Sequence, residues 1–144
     1  MAGRVLAFED FTPGHTFPTT HYRISADDNR AFRQTIPFEA FRDDSERPLP
    51  APVEAQAAAI HPTLVGSFQP QHAVFGWPAG VIHAREKVQT FLPVVPDEML
   101  ASTVSVLDCS ERKGRKFVVL KIQIDKVDAG QTALIVERTL VWPY

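Results

Sequence analysis

The chain has 144 residues and a mass of 16.1 kDa, the size of one domain with a substantial buried core. Hydrophobic residues make up 44% and charged residues 22%, a composition that is typical of globular proteins and argues against a disordered chain. The net charge of -2, with basic residues scattered along the chain, gives no electrostatic basis for binding nucleic acid. We therefore predict a single domain over residues 1–144.

The cysteine content and the lengths of the apolar runs indicate in which cellular compartment the protein is expected. Cys109 is the only cysteine, which excludes an intramolecular disulfide and a thiolate metal cluster. It lies in an apolar, strand-like run, which predicts a buried and unreactive thiol. No signal peptide is recognisable at residues 1–4, and no apolar run reaches the roughly 18 residues that span a bilayer. We expect a cytoplasmic protein without a membrane segment.

In chain order, the first predicted elements are a strand and a short helix. Residues 16–24 are rich in β-branched and aromatic side chains and contain proline, a pattern that favours a strand at a sheet edge. Ser25 is a good N-cap, and Asp27 and Asp28 suit the positive end of a helix dipole. A helix is therefore predicted over about residues 26–35.

An alanine-rich run at residues 53–66 carries the strongest helix propensity in the chain. Pro52 suits the first turn of a helix and Gly66 suits its C-terminal cap. Pro62 is a point at which this helix kinks or ends earlier. Because its side chains are small, a sheet can enclose the helix closely, and we predict that residues 53–66 form the central helix.

Beyond residue 80 the hydrophobic pattern changes to the alternation of β-strands. Turn-forming residues separate the runs, and no helix signal lies between them, which predicts an antiparallel meander. One sheet with a helix on one face needs a cover for its free edge or second face, so a dimer is expected. The four predicted strands are residues 81–91, 99–109, 117–127 and 132–142.

This order of elements resembles that of the MaoC-like hydratase and dehydratase family. Residues 8–17 look like the opening of that family, and residues 24–32 look like its first helix. Residues 80–86 and 92–100 resemble the His-Ala strand and the Pro-x-x-x-Gly-Asp-x-Leu turn of its N-terminal-type domain, and residues 113–119 match its Lys-Gly-Arg hairpin. The resemblance implies an α+β hotdog fold, in which an antiparallel β-sheet wraps around a long central α-helix.

The resemblance also implies an acyl thioester of CoA or acyl carrier protein as the bound molecule, with no cofactor. Active members share an Asp-x-Asn-Pro-x-His motif after the first helix, whose Asp and His activate the water that adds to an enoyl double bond. This chain lacks the motif, and no histidine occurs between His21 and His61. It therefore resembles the N-terminal-type unit, either as the non-catalytic subunit of a heteromer or as a homodimer with altered chemistry.

Glu54, His61 and His83 are the candidate catalytic residues. In hotdog thioesterases a carboxylate on the central helix is a base or nucleophile, which suggests this role for Glu54; the alternative is a helix-terminal glutamate stabilised by the dipole. For His61, the alternative to a catalytic role is that it is a structural residue at the end of a helix. His83 alternates with Arg85 and Lys87, so the three are predicted to share one face of the first long strand. For His83, the alternative to a catalytic role is a structural role or a position in a subunit interface.

The candidate substrate-binding residues are His72, Phe75, Trp77 and Arg85. The aromatic rings are suited to packing on an acyl group, or else they close the core. Arg85 is one of several scattered basic residues that could hold the phosphates of a thioester carrier. The sequence has no Gly-rich phosphate loop and no histidine pair with metal-ligand spacing, so neither a cofactor nor a metal is expected.

Three functions stay open on the sequence alone, because the hotdog fold hosts all of them. The first is a hydratase or dehydratase unit, a lyase, that works alone or with a second hotdog subunit. The second is a thioesterase that uses Glu54. The third is a dimeric protein that binds acyl thioesters without catalysis.

Overall fold

The computed structural model describes residues 4–35, 59–67 and 75–143 of the chain. In these residues the strands are β1 (Arg4–Val5), β2 (Thr20–Tyr22), β3 (Phe75–Gly76), β4 (Ile82–Thr90), β5 (Leu100–Arg112), β6 (Arg115–Lys126) and β7 (Gln131–Trp142). The α-helices are α1 (Ala26–Thr35) and α2 (Pro62–Ser67), and a short 3-10 helix covers Phe8–Asp10. Neither α-helix has the length and apolar character needed to cross a lipid bilayer.

The main sheet has five strands in the order β2-β5-β6-β7-β4, and all neighbours are antiparallel. β5, β6 and β7 form the predicted meander, in which Lys113 and Gly114 turn the first hairpin with φ values of 50° and 73°. Both residues have the positive φ that a type I′ turn requires. The predicted four-strand meander is wrong for its first strand. A meander would pair β4 with β5, whereas β4 pairs with β7. The connection between β4 and β5 contains Pro93, Pro96 and a positive φ at Asp97, so it crosses the end of the sheet without forming a hairpin.

One face of this sheet is apolar and buried, and we call it the inner face. The register places Ile122 of β6 between Val104 of β5 and Val136 of β7, so that side chains of three strands form a continuous row. Neighbouring rows are built in the same way. The other fully buried apolar residues of the inner face are Leu100, Val106, Val118, Leu120, Ile124, Leu134 and Leu140. Each such side chain contributes about 1.5–3 kcal/mol by leaving water, which makes this face the hydrophobic core.

Helix α2 packs on the inner face over β7. A Cβ atom at Gly66 would lie 3.1 Å from Val136 Cγ2 and 3.5 Å from Leu134 Cδ2, so the missing side chain permits a close approach of helix and sheet. Val65 beside it is 2% exposed. The small size of Gly66 therefore sets the depth of α2 against the sheet.

The predicted helix over residues 53–66 is wrong at residues 59–61, which are not helical. The helix begins at Pro62, because a proline at the first helical position has a suitable φ and needs no N–H partner there. Residues 53–58 lie outside the described residues. The sequence therefore located the end of the helix to within one residue, and it marked Pro62, where the helix begins, as a point of interruption.

The shorter elements follow their predictions to different degrees. Helix α1 covers the predicted Ala26–Thr35. Its start is a capping box, since the Ser25 Oγ accepts from the Asp28 N–H at 3.0 Å and an Asp28 oxygen accepts from the Ser25 N–H at 3.1 Å. The predicted strand over residues 16–24 is shorter than expected, because only Thr20–Tyr22 pairs as a continuous strand with β5.

A charged side chain, Arg138 of β7, lies on the apolar inner face and is 3% exposed. Its Nε donates to Oε2 of Glu86 at 3.1 Å, and its Nη2 donates to the carbonyl oxygen of Gly66 at 3.3 Å. Glu86 lies directly opposite on β4. Because an unpaired buried charge costs several kcal/mol, these two contacts allow Arg138 to connect β7, β4 and the end of α2.

We predict that Glu86→Gln lowers the free energy of unfolding by about 1–3 kcal/mol, because a neutral amide does not offset the buried guanidinium. Glu137→Gln is the matched control, since Glu137 is exposed on the other face of β7, and it is expected to change stability by less than about 0.5 kcal/mol. Adding Arg138→Met to Glu86→Gln removes the stranded charge and restores part of the loss. Urea denaturation measures all three, and equal stability of the two single variants would contradict the assignment.

Candidate functional site

A β-bulge in β4 decides which of its side chains face α2. The ladder with β7 skips Ala84 between His83 and Arg85. Residues opposite each other share a face of a sheet, and His83 lies opposite the buried Leu140, so His83 belongs to the inner face. The shared face predicted for His83, Arg85 and Lys87 is therefore wrong, because one inserted residue moves Arg85 and Lys87 to the outer face.

The bulge brings His83 to the side of the sheet that carries Glu86 and Arg138. We call these three residues the edge cluster. Partial burial, and next the positive charge of Arg138, lower the pKa of His83, whereas the negative charge of Glu86 acts against them. His83 is therefore a neutral imidazole at neutral pH. A neutral imidazole and a carboxylate on the same face of the sheet are groups that can bind or transfer protons.

A second polar site lies between α1 and the start of α2, around His61. The His61 N–H donates to Oδ1 of Asn29 at 3.0 Å, and Asn29 Nδ2 donates to the Ala59 carbonyl at 3.0 Å. The guanidinium of Arg33 donates to the same carbonyl at 3.0 Å. Asn29 is only 4% exposed, and its amide thus satisfies a donor and an acceptor of the same backbone segment. Helix α1 thereby holds residues 59–61 in place.

The imidazole of His61 has its own contacts. Its Nδ1 accepts a hydrogen bond from the Thr63 N–H at 3.1 Å, so His61 acts as the N-cap of α2. Its ring centre lies 5.4 Å from that of Phe32. Partial burial, followed by the positive charge of Arg33, lowers the pKa of His61, which keeps the ring neutral at neutral pH.

The turn that follows β4 supports the same backbone segment from another side. The Ile60 N–H donates to the Val94 carbonyl at 2.7 Å. Glu98 of this turn forms an ion pair of 3.0 Å with Lys126 at the end of β6, and their side chains are 14% and 15% exposed. Lys126 also donates to the Pro93 carbonyl at 3.0 Å. The backbone at residues 59–61 is thus held by α1 and by a turn that an ion pair connects to β6.

The structure does not bring all candidate residues together. His61 and His83 belong to different clusters, and among the described residues no direct contact joins them. Glu54 and His72 lie outside the described residues, and their roles remain predictions. Phe75 is placed by its backbone, which pairs with Arg4 in the small parallel sheet of β1 and β3.

Trp77 packs in an aromatic cluster at the end of the sheet. Its ring is parallel to that of Phe11 at a centroid distance of 6.5 Å and meets Trp142 edge to face at 5.7 Å. Phe11 also contacts Trp142 at 4.9 Å. These contacts agree with the alternative that Trp77 closes the core, and its role in binding stays a prediction.

Cys109 lies in β5, half-buried. Burial, and next the negative charge of Asp108, raise the pKa of its thiol, so that it stays protonated at neutral pH. This agrees with the prediction of an unreactive thiol. In the described ranges, no group of three or more His, Cys, Asp and Glu side chains is placed to hold a metal ion.

Sequence reasoning missed Asn29, Arg33, Glu86 and Arg138 as members of the two clusters. Arg138 had a detectable signal, because it occupies an inward position of the alternating pattern between Val136 and Leu140. A charged residue at such a position is rarely buried without a partner. Asn29 had no such signal, since its partners lie about thirty residues away along the chain.

Neither a protein-family model nor a curated protein matches the chain by sequence. Solved structures match it over nearly its whole length. A MaoC-like dehydratase from Rhodospirillum rubrum superposes with a TM-score of 0.66 at 19% identity, covering 95% of this chain and 96% of that one. The R-hydratase PhaJ1 from Pseudomonas aeruginosa gives 0.64 at 18% identity, covering 99% and 89%.

A third similar structure is a complex of two proteins. The HadBC (3R-hydroxyacyl-ACP dehydratase) complex from Mycobacterium tuberculosis gives a TM-score of 0.59 at 17% identity, covering 90% of this chain and 96% of the matched one. At sequence identities this low, the structural likeness establishes the fold alone. The chain therefore has the hotdog fold, as do the MaoC-like dehydratases and (R)-hydratases to which it is similar in structure.

Proposed function

We propose that this chain is an acyl-thioester-binding hotdog subunit of a hydratase or dehydratase, a lyase whose substrate is a thioester of CoA or acyl carrier protein. The observation that carries the proposal is the full-length likeness to MaoC-like dehydratases and (R)-hydratases. The sequence motifs that resemble the N-terminal-type domain of that family support it independently.

Because this chain lacks the water-activating motif, we infer that a second subunit completes the site. The Asp-x-Asn-Pro-x-His motif is absent, and residues 36–50 contain no histidine. The pair of groups that activates water would then come from a partner that carries the motif. This chain would contribute the binding surface and the edge cluster.

Strand β4 is the surface that supports pairing with such a partner. It pairs only with β7 in the described sheet, and all nine of its residues are exposed. Val88 is 46% exposed, and Phe91 just beyond the strand is 55% exposed. A long edge strand with open backbone groups and apolar side chains favours the addition of another strand. Pairing there would place the edge cluster at the interface between two hotdog subunits.

We predict that Val88→Lys weakens this association about tenfold or more, because a charged side chain must then be buried or displaced. Val127→Lys is the matched control, since Val127 is also apolar and 41% exposed but follows β6 at a hairpin turn. Sedimentation velocity of each chain, alone and with the partner subunit, measures the association. Unchanged association of Val88→Lys, or a parent chain that stays monomeric under both conditions, would contradict pairing through β4.

The proposed activity is tested with crotonyl-CoA and a second hotdog chain that carries the Asp-x-Asn-Pro-x-His motif. We expect this chain to bind the thioester alone and to hydrate it efficiently only in the complex, seen as loss of the enoyl absorbance. Absence of both binding and hydration would contradict the proposal. Release of free thiol that is lost in Glu54→Ala would indicate a thioesterase instead, and saturable binding without turnover in the complex would indicate a non-catalytic binding protein.

A further inference from the structure

We propose that His61 donates a hydrogen bond from Nε2 to the carbonyl oxygen of the bound thioester and does not act as a general base. This assignment rests on the proposed function, because it needs a thioester as the ligand. It concerns a side chain whose tautomer and orientation are both determined by its neighbours.

The tautomer follows from the contact with Thr63. A neutral imidazole carries one proton, on either Nδ1 or Nε2. The lone pair of Nδ1 accepts the Thr63 N–H at 3.1 Å, so the proton must be on Nε2. No hydrogen-bond partner of Nε2 lies among the described residues, and His61 is only half-buried. Its Nε2–H is therefore available to a ligand, whereas its only basic nitrogen is occupied.

The orientation of the ring follows from α1. Asn29 holds the His61 backbone N–H at 3.0 Å and, together with Arg33, fixes the carbonyl of Ala59 two residues earlier. Phe32, also on α1, packs beside the imidazole. Asn29 is thus a positioning residue, since it acts on the ligand only through His61. A donor that is held in place before the ligand arrives loses little entropy on binding.

The charges around His61 keep it in the neutral, donating form. On α1, Arg33 is the cation near the ring, and its charge opposes protonation of the imidazole. In the turn that supports Ile60, the carboxylate of Glu98 is paired with Lys126 and so offers little compensating negative charge. Protonation would also place a hydrogen on Nδ1 and break the contact with Thr63. These effects all favour the neutral ring.

The position of His61 relates it to the edge cluster. Helix α2 separates His61 from the Gly66 carbonyl, which Arg138 contacts, by about 8 Å along the helix axis. This distance is shorter than the acyl and pantetheine portions of a thioester. A single thioester is therefore long enough to extend from His61 to the edge cluster.

The chemistry of hydration needs such a donor. When water adds to the β-carbon of an enoyl thioester, the π electrons move to the carbonyl oxygen, which is negative until the α-carbon receives a proton. The reverse reaction, dehydration, passes through the same charge distribution. A fixed N–H donor stabilises this oxygen throughout, and His61 keeps its proton in both directions.

The tautomer is tested without any ligand, by long-range proton–nitrogen correlation NMR of the imidazoles in the full chain. We expect His61 to be neutral at neutral pH, with the proton on Nε2 and a pKa below the ordinary value of about 6.5. Arg33→Gln removes the nearby cation and is expected to raise this pKa. A proton on Nδ1 in the neutral ring, or a charged ring at neutral pH, would overturn the inference and leave the proposed function untouched.

The donor role is tested with acetoacetyl-CoA, whose enolate absorbs in the near ultraviolet and reports stabilisation of charge on the carbonyl oxygen. His61→Leu is expected to lower the affinity about tenfold or more and to remove the enolate band. His61→Gln retains an N–H donor but cannot serve as a base, so it should keep most of the enolate signal. Equal loss in both variants would overturn the donor role.

Controls separate this result from folding and from the proposed function. If His61→Leu does not fold, His61→Asn takes its place, because asparagine retains an N-cap acceptor with a side chain too short to replace Nε2. If the parent chain does not bind acetoacetyl-CoA at all, the proposed function fails together with this inference. If the parent chain binds acetoacetyl-CoA, but His61→Leu and His61→Gln show the same affinity and the same enolate band, only this inference fails and the proposed function stands.

Discussion

The close approach of α2 to β7 is the contact on which the other features depend. It is possible because Gly66 has no side chain where a Cβ would lie 3.1 Å from Val136. Arg138 then links the carbonyl of Gly66 to Glu86 on the edge strand. His61 caps the opposite end of the same short helix. The distance between α2 and β7 therefore determines how far the His61 imidazole lies from the edge of the sheet.

Around this contact the polar groups divide into two sets with different tasks. The edge cluster lies on the inner face of β4 and β7, where a second hotdog subunit would cover it. His61 is held from inside the subunit, by α1 and by the turn after β4. A site that takes one group from a fixed internal segment and others from an interface is complete only when the interface forms, which agrees with a subunit that lacks the water-activating motif.

The parts of the fold that local physics determines were predictable from sequence. Helix α1 has a capping box, and β5 to β7 alternate apolar and polar residues between short turns, so neighbours along the chain specify them. The neighbour of β4 and its bulge were not predictable, because β4 is exposed along its whole length and lacks a clear alternating pattern in which the inserted Ala84 would appear as a shift. The site was predicted only in part: His61 and His83 were identified, whereas Asn29, Arg33 and Glu86 owe their roles to distant partners.

The most direct test of the account is a crystal structure of the complex with a partner subunit and a thioether analogue of an enoyl-CoA. We expect that β4 of this chain pairs with a strand of the partner and that the analogue lies on the inner side of β4. Its carbonyl oxygen would then be within hydrogen-bond distance of His61 Nε2. An analogue bound on the outer face, beside Arg85 and Lys87, or a β4 edge left open to solvent in the complex, would contradict it.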